Sequence, residues 1–170
     1  MPRKKLNIGL GLLLLMGATA CTQHMVPSQR MAGTAPILSV ERFLQAANAG
    51  DLDAMGRIFG TPEGAALERT GNPIVCGFRR VGSWFWLGSR CPNRQEVELR
   101  MNAIAMILRH SSYQIRGEGE VPGRRWPATR VMVDITRGSQ VARNVPFVTV
   151  QTRDGRWMVE EIGLERVTAR

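Results

Sequence analysis

The chain has 170 residues, 44% of them hydrophobic, with 23 Lys and Arg against 14 Asp and Glu, a net charge of +9 and a pI of about 11.1. That length suits one domain plus a targeting segment, and that apolar fraction is ordinary for a globular core, which excludes an intrinsically disordered chain. Only Lys4 and Lys5 are lysines and every other cation is arginine, a bias that a GC-rich genome produces as readily as function does.

Residues 1–20 read as a secretory signal peptide. Arg3, Lys4 and Lys5 form the charged start, and Leu6 to Met16 the apolar run, too short to cross a bilayer, which takes roughly 20 residues. Gly17-Ala18-Thr19-Ala20 supplies small residues before Cys21. This arrangement resembles the bacterial lipobox, with Ala18 where leucine is usual; Ala18-Thr19-Ala20 also fits an ordinary A-x-A cleavage site, and both cuts fall before Cys21. The resemblance implies acylation at Cys21 and anchorage to a membrane. Thr22 rather than Asp follows the cysteine, which in that family directs sorting to the outer membrane. Several acyl chains anchor stably where one does not.

Residues 22–37, TQHMVPSQRMAGTAPI, read as a flexible tether, with His24 as a solvated linker residue. The stretch Ser39 to Thr61 then carries two short amphipathic helices. Ser39 reads as an N-cap with Glu41 in the first turn, followed by the stripe Val40, Phe43, Leu44, Ala47 and a stop at Gly50. Asp51 caps the second, whose stripe is Leu52, Met55, Ile58 and Phe59, ended by Gly60 and Pro62. Neither helix is long enough to stand alone, so each needs a partner surface.

Glu63 to Asn93 reads as an irregular insertion rich in Gly, Arg and aromatics. It holds Cys76 and Cys91, which outside the cytoplasm are most simply a disulfide closing a loop of about 15 residues, worth about 3 kcal/mol in the chain-entropy model. Phe78, Trp84, Phe85 and Trp86 interleave with Arg79, Arg80 and Arg90. One reading is a lid or partner-binding edge. The other is a stapled hairpin packing its aromatics on the sheet rim. Nucleic acid also suits an Arg-aromatic patch, but an exported, anchored chain does not meet it.

Arg94 to His110 is the strongest helix, with Val97, Met101, Ile104, Ala105 and Leu108 inward and Glu96 paired with Arg100 at i, i+4. Period two follows. Strands are expected at Ser112–Glu118, Ala128–Thr136, Asn144–Thr152 and Arg156–Gly163. Val131, Val133 and Ile135 face in on the second, Val148 and Val150 on the third, and Trp157, Val159 and Glu161 on the fourth. Asp154-Gly155 reads as a two-residue hairpin turn.

AANAGDLDAM at the first helix end, a second short helix ending at Phe59, a third helix and then meandering strands closing on DGRWMVEEI resemble nuclear transport factor 2-like domains over about residues 40–167. The resemblance implies an α+β fold, a cystatin-like cone in which three N-terminal helices pack on a curved antiparallel sheet of about four strands, here spanning residues 38–168. It implies a conical pocket, used by some relatives (ketosteroid isomerase, scytalone dehydratase) as an active site and by others for ligand binding or dimerisation without catalysis. His110, Tyr113 and Asp134 are the candidate catalytic residues, with Glu161 a further strand carboxylate, but no local motif joins them. No metal-ligand spacing or cofactor motif is present. The expectation is therefore a lipid-anchored envelope domain that binds a protein partner, a second copy of itself among the partners allowed, or a small apolar ligand. The alternatives are a pocket isomerase or lyase, and an accessory module of cell-wall assembly.

Overall fold

The computed structural model describes residues 33–70 and 93–169. In chain order these form α1 (Pro36–Ala49), α2 (Leu52–Ile58), β1 (Gly60–Thr61), β2 (Gly64–Ala65), α3 (Arg94–Leu108), β3 (Ser112–Glu120), β4 (Ala128–Arg137), β5 (Gln140–Gln151), β6 (Trp157–Ile162) and α4 (Leu164–Thr168). The architecture is α+β. The strands β3-β4-β5-β6 make one antiparallel meander in sequence order, and β1 and β2 make a two-stranded ribbon. Three helices precede the sheet as expected, and the short α4 after β6 was not anticipated.

The first helix starts one turn earlier than the sequence suggested. Pro36 occupies its first turn, where the missing N–H costs nothing, and Ala35 is the cap with no side-chain bond. Ser39 is therefore inside α1, completely buried, and Glu41 falls beyond the first turn. The Ser39 hydroxyl accepts from Gly33 N–H at 2.9 Å and donates to the Trp157 carbonyl at 2.7 Å. Trp157 N–H returns a bond to the Gly33 carbonyl at 3.0 Å. A Cβ on Gly33 would sit 2.5 Å from Ser39 Oγ, so the clasp closes only on glycine. The domain thus reaches back at least to residue 33, within the stretch assigned to the tether.

The remaining caps match their residues. Gly50 ends α1 at φ 70°, its N–H serving the carbonyls of Ala46 and Ala47. Asp51 accepts from Ala54 N–H at 2.9 Å to start α2. Asn93 accepts from Gln95 N–H to start α3, and Arg100 meets Glu96 at 2.6 Å.

One core joins the helices to the sheet. Phe43 and Leu44 of α1, Met55 and Ile58 of α2, Met101 and Leu108 of α3, Val131, Val133 and Ile135 of β4, Val145 and Phe147 of β5 and Val159 of β6 are all buried in it. Each such side chain contributes about 1.5–3 kcal/mol on leaving water. α1 lies against β4, β5 and β6; α3 lies against α1, α2 and α4.

Three register shifts correct the expected facing of side chains. They fall between Ile115 and Gly117 of β3, between Val133 and Ile135 of β4, and in the β5–β6 pairing beside Val148 and Thr149. Each bulge adds a residue, bends its strand and changes which side chains share a face. On β5 it is Val145 and Phe147 that meet the helices, whereas Val150 packs with Ala65, Met158 and Trp126 in a second cluster, and Val148 is absent from the main core. On β6 the bulge turns Glu161 outward and brings Ile162 to the core. The β5–β6 connection has three residues rather than two: Thr152 N–H bonds the Arg156 carbonyl and Gly155 takes φ 81°, the Gly-terminated three-residue loop.

The outer edge of β6 is occupied by bridges to Gly33 and Phe59. Among the described residues β3 is the open edge of the sheet, and it carries a bulge and the charged Arg116, two features that discourage further strand pairing. Arg156 ties the β5–β6 loop to the ribbon through a bidentate pair with Glu68 at 3.1 and 3.2 Å. That bond holds the Glu68 carboxyl below the usual carboxylate range.

Two outcomes are expected. Ser39→Ala leaves a buried N–H and a buried carbonyl without their partner and should lower unfolding free energy by about 1–3 kcal/mol in urea titration. Glu68→Gln should be less stable than the parent at neutral pH. A lowered folded-state pKa gives stability that is complete above the unfolded value and lost as pH falls through the folded one. The gap between the two melting curves should therefore close below about pH 5, and a gap that widens on acidification would contradict the pairing.

Candidate functional site

The C-terminal ends of α1 and α3 meet where the chain turns into β3. Gly50 stops α1, α3 ends at Leu108, and Arg109-His110-Ser111 carries the chain into Ser112. Asn48 Oδ1 accepts from the His110 backbone N–H at 3.1 Å and joins the two helix ends. His110 Nδ1 lies 2.8 Å from the Leu108 carbonyl oxygen. A carbonyl only accepts, so Nδ1 carries the proton and, in the neutral ring, Nε2 keeps the lone pair. Tyr113 stands edge-on to that imidazole, with ring centroids 5.4 Å apart at 82°. Ser111 is pinned to the Thr136 carbonyl through both its N–H and its hydroxyl.

Between these groups lies an open cleft of about 630 Å³ lined by Gln45, Asn48, Ala49, His110, Ser111, Ser112 and Tyr113. Its lining holds amides, hydroxyls, one imidazole and no carboxylate or arginine. Such a set can donate and accept hydrogen bonds and stack a flat group. The imidazole is oriented by a main-chain carbonyl, not by a carboxylate that would stabilise its protonated form, as general-base chemistry prefers.

Two of the three catalytic candidates therefore meet and the third does not. Tyr113 pairs with Ile135 and Gln114 with Asp134, so Asp134 sits on the opposite face of the sheet from Tyr113. It faces the β4–β5 bulge, where two residues of β5, Arg143 and Asn144, stand against the single Asp134. Its Oδ1 accepts from Asn144 N–H at 2.8 Å, and its Oδ2 is 3.3 Å from Arg116 Nε. Asn144 has φ 52°, the one positive φ outside glycine among the described residues. Asp134 is a structural clamp on that strained position. Glu161 is exposed and, with Glu160, binds Arg124.

Sequence reasoning missed Gln45, Asn48, Ser111 and Ser112. The one available signal was Asn48 two residues before the helix-ending Gly50, a short amide where a helix end needs capping. Cys21, His24, Cys76 and Cys91 lie outside the described residues, as do Phe78, Arg79, Arg80, Trp84, Phe85, Trp86 and Arg90. Among the described residues no three His, Cys, Asp or Glu gather as a metal site, and no helix is long and apolar enough to cross a membrane. The chain matches no protein-family model, and neither the curated proteins nor the solved structures contain a significant match to it.

Asp134→Ala should cost about 1–2 kcal/mol in stability, because the Asn144 amide loses a charged acceptor. Adding Asn144→Gly should recover part of that loss, since glycine adopts positive φ without strain. Equal melting temperatures for parent and Asp134→Ala would remove the clamp.

Proposed function

We propose that this chain is a bacterial envelope lipoprotein. Residues 1–20 export it, Cys21 carries the acyl anchor that holds it at the outer membrane, and the domain from residue 33 onward binds a ligand or protein partner without catalysis. The charged start, apolar run and small residues before Cys21 support the first part. The order of helices and strands, α1 laid along the sheet and the three strand-bending bulges support kinship with the nuclear transport factor 2-like cone.

The observation that carries the non-catalytic reading is the composition of the interior. Among the described residues the side chains buried between helices and sheet are apolar apart from Ser39, Thr149 and Thr152, whose hydroxyls are all bonded to backbone carbonyls. An isomerase or lyase working inside a cone needs a carboxyl or imidazole held in that interior with a shifted pKa. Here His110 lies instead at the open cleft and Asp134 on the far face. We assign the His110–Tyr113 cleft as the ligand contact. Cys76 and Cys91 form a disulfide in this reading, and the aromatic-arginine stretch between them is a partner contact rather than a nucleic-acid surface.

Mass spectrometry of the protein extracted from bacterial membranes tests this reading. The first mature residue should be Cys21 with acyl mass added, the Cys76–Cys91 pair should be two hydrogens lighter than its reduced form, and a native spectrum should retain a small molecule that His110→Ala together with Tyr113→Ala releases. Cys21→Ser should leave the membrane fraction. An unacylated Cys21 in a membrane-bound protein would defeat the anchor, and substrate turnover that survives in the parent but not in His110→Ala would defeat the non-catalytic reading.

A further inference from the structure

Among the described residues α3 buries one face and leaves the other uncovered. Val97, Met101, Ala105 and Leu108 are buried against α1, α2 and α4. On the opposite side stand Leu99, 70% exposed, and Met106, 64% exposed, the two most exposed large apolar side chains among the described residues. They are seven residues apart, two full helical turns, so they lie on one line along the helix. Gln95, Asn102, Ala103 and Arg109 continue that face, and Gln95, Leu99, Asn102, Met106 and Arg109 follow the alternating four-and-three spacing of a coiled-coil seam.

We propose that this face of α3 is a self-association surface, which pairs antiparallel with α3 of a second copy about a two-fold axis near Asn102 and Ala103. The sequence of the face is self-complementary in that direction. The two-fold operation brings Leu99 of each copy against Met106 of the other, and the small Ala103 lets the helix axes approach at the crossing. On one flank it sets Arg109 beside Glu98 of the second copy, twice. Arg109 has no ion-pair partner among the described residues, and Glu98 already offers an exposed carboxylate shared with Arg94. A parallel pairing would instead set the two Glu98–Arg109 flanks on opposite sides of the helix pair, where these charges do not meet. A second copy is also the occupant that fits by charge: the flank carries the cation Arg109 at one end and the Glu98 carboxylate, shared with Arg94, at the other, so a partner that presents the same groups in reversed order meets both.

The contact is short. A helix of 15 residues is about 22 Å long, and one such helix pair falls below the roughly 1,200 Å² that a stable dimer buries. The association is therefore weak and reversible. The geometry also lays the start of each α3 beside the end of the other, next to the cleft at His110, so ligand binding and pairing share a neighbourhood.

Sedimentation velocity of the purified full chain in dispersing detergent, from about 1 μM to about 1 mM, tests the proposal over the affinity range such an interface spans. The parent should shift from monomer to dimer within that range. Leu99→Glu with Met106→Glu should weaken the dimer at least about tenfold, with an unchanged circular dichroism spectrum because both side chains already face water. Arg109→Glu alone should weaken it several-fold, and Glu98→Arg added to Arg109→Glu should restore it. A parent that stays monomeric throughout overturns the proposal. So does a dimer that ignores both the apolar and the charge substitutions, or a charge swap that fails to restore pairing. Loss of the retained cleft ligand without loss of dimerisation leaves this surface standing and strikes only at the cleft.

Discussion

The hydroxyl of Ser39 is the joint on which the rest of this domain is hung. It touches three parts of the chain, the approach at Gly33, the second turn of α1 and the first residue of β6, and it satisfies a buried donor and a buried acceptor at once. With α1 fixed to β6 in this way, Val40, Phe43 and Leu44 have no freedom to slide along the sheet, and the core they form with Phe147 and Val159 has one packing. A helix held only by apolar contact could rotate or shift by a turn at small cost. A hydrogen-bonded serine at the contact removes that freedom, because any shift strands polar groups away from water.

The three bulges are the second constraint. They decide which side chains the helices see, and they explain where reading the sequence succeeds and fails. β4 is legible because Val131, Val133 and Ile135 alternate with less buried neighbours and stay on one face, the extra residue of the β4–β5 bulge lying on β5. β5 is not: Val145, Phe147, Val148, Thr149 and Val150 are all buried, so both faces are covered and alternation gives no sign of which is inward. β6 is misread at its end because the extra residue in its pairing exchanges Glu161 for Ile162. The helices were easier, since their stripes are set by 3.6-residue periodicity that no register can alter. The start of α1 moved most, where a proline signal in the first turn outranks a serine that merely looks like a cap, while α2 and α3 each stop short of their expected ends, at Ile58 before Phe59 and at Leu108 before His110.

The cleft was half legible. His110 and Tyr113 are three residues apart across a helix-to-strand turn, and local distance alone brings their rings together. The other wall comes from α1, 62 residues away along the chain through Asn48, and nothing in the sequence announces that two helix ends should converge. Asp134 drew attention as a carboxylate on a strand, yet its work is to hold Asn144 in a left-handed conformation within β5. Charge misleads in a similar manner. The described residues contain all 14 of the acids and 15 of the 23 cations, so the folded domain is close to neutral. The strong basicity of the whole chain belongs to the sequence at 1–32, 71–92 and 170.

The bridge from Gly33 to Trp157 has a mechanical meaning. Whatever tension arrives along the chain ahead of residue 33 is delivered first to β6, through backbone bonds and the serine, before it reaches the first turn of α1. A pull there loads a strand that is itself bonded to β5, and so spreads the force across the sheet instead of unwinding a helix from its free end. Under a load applied at residue 33, that is the difference between fraying and holding.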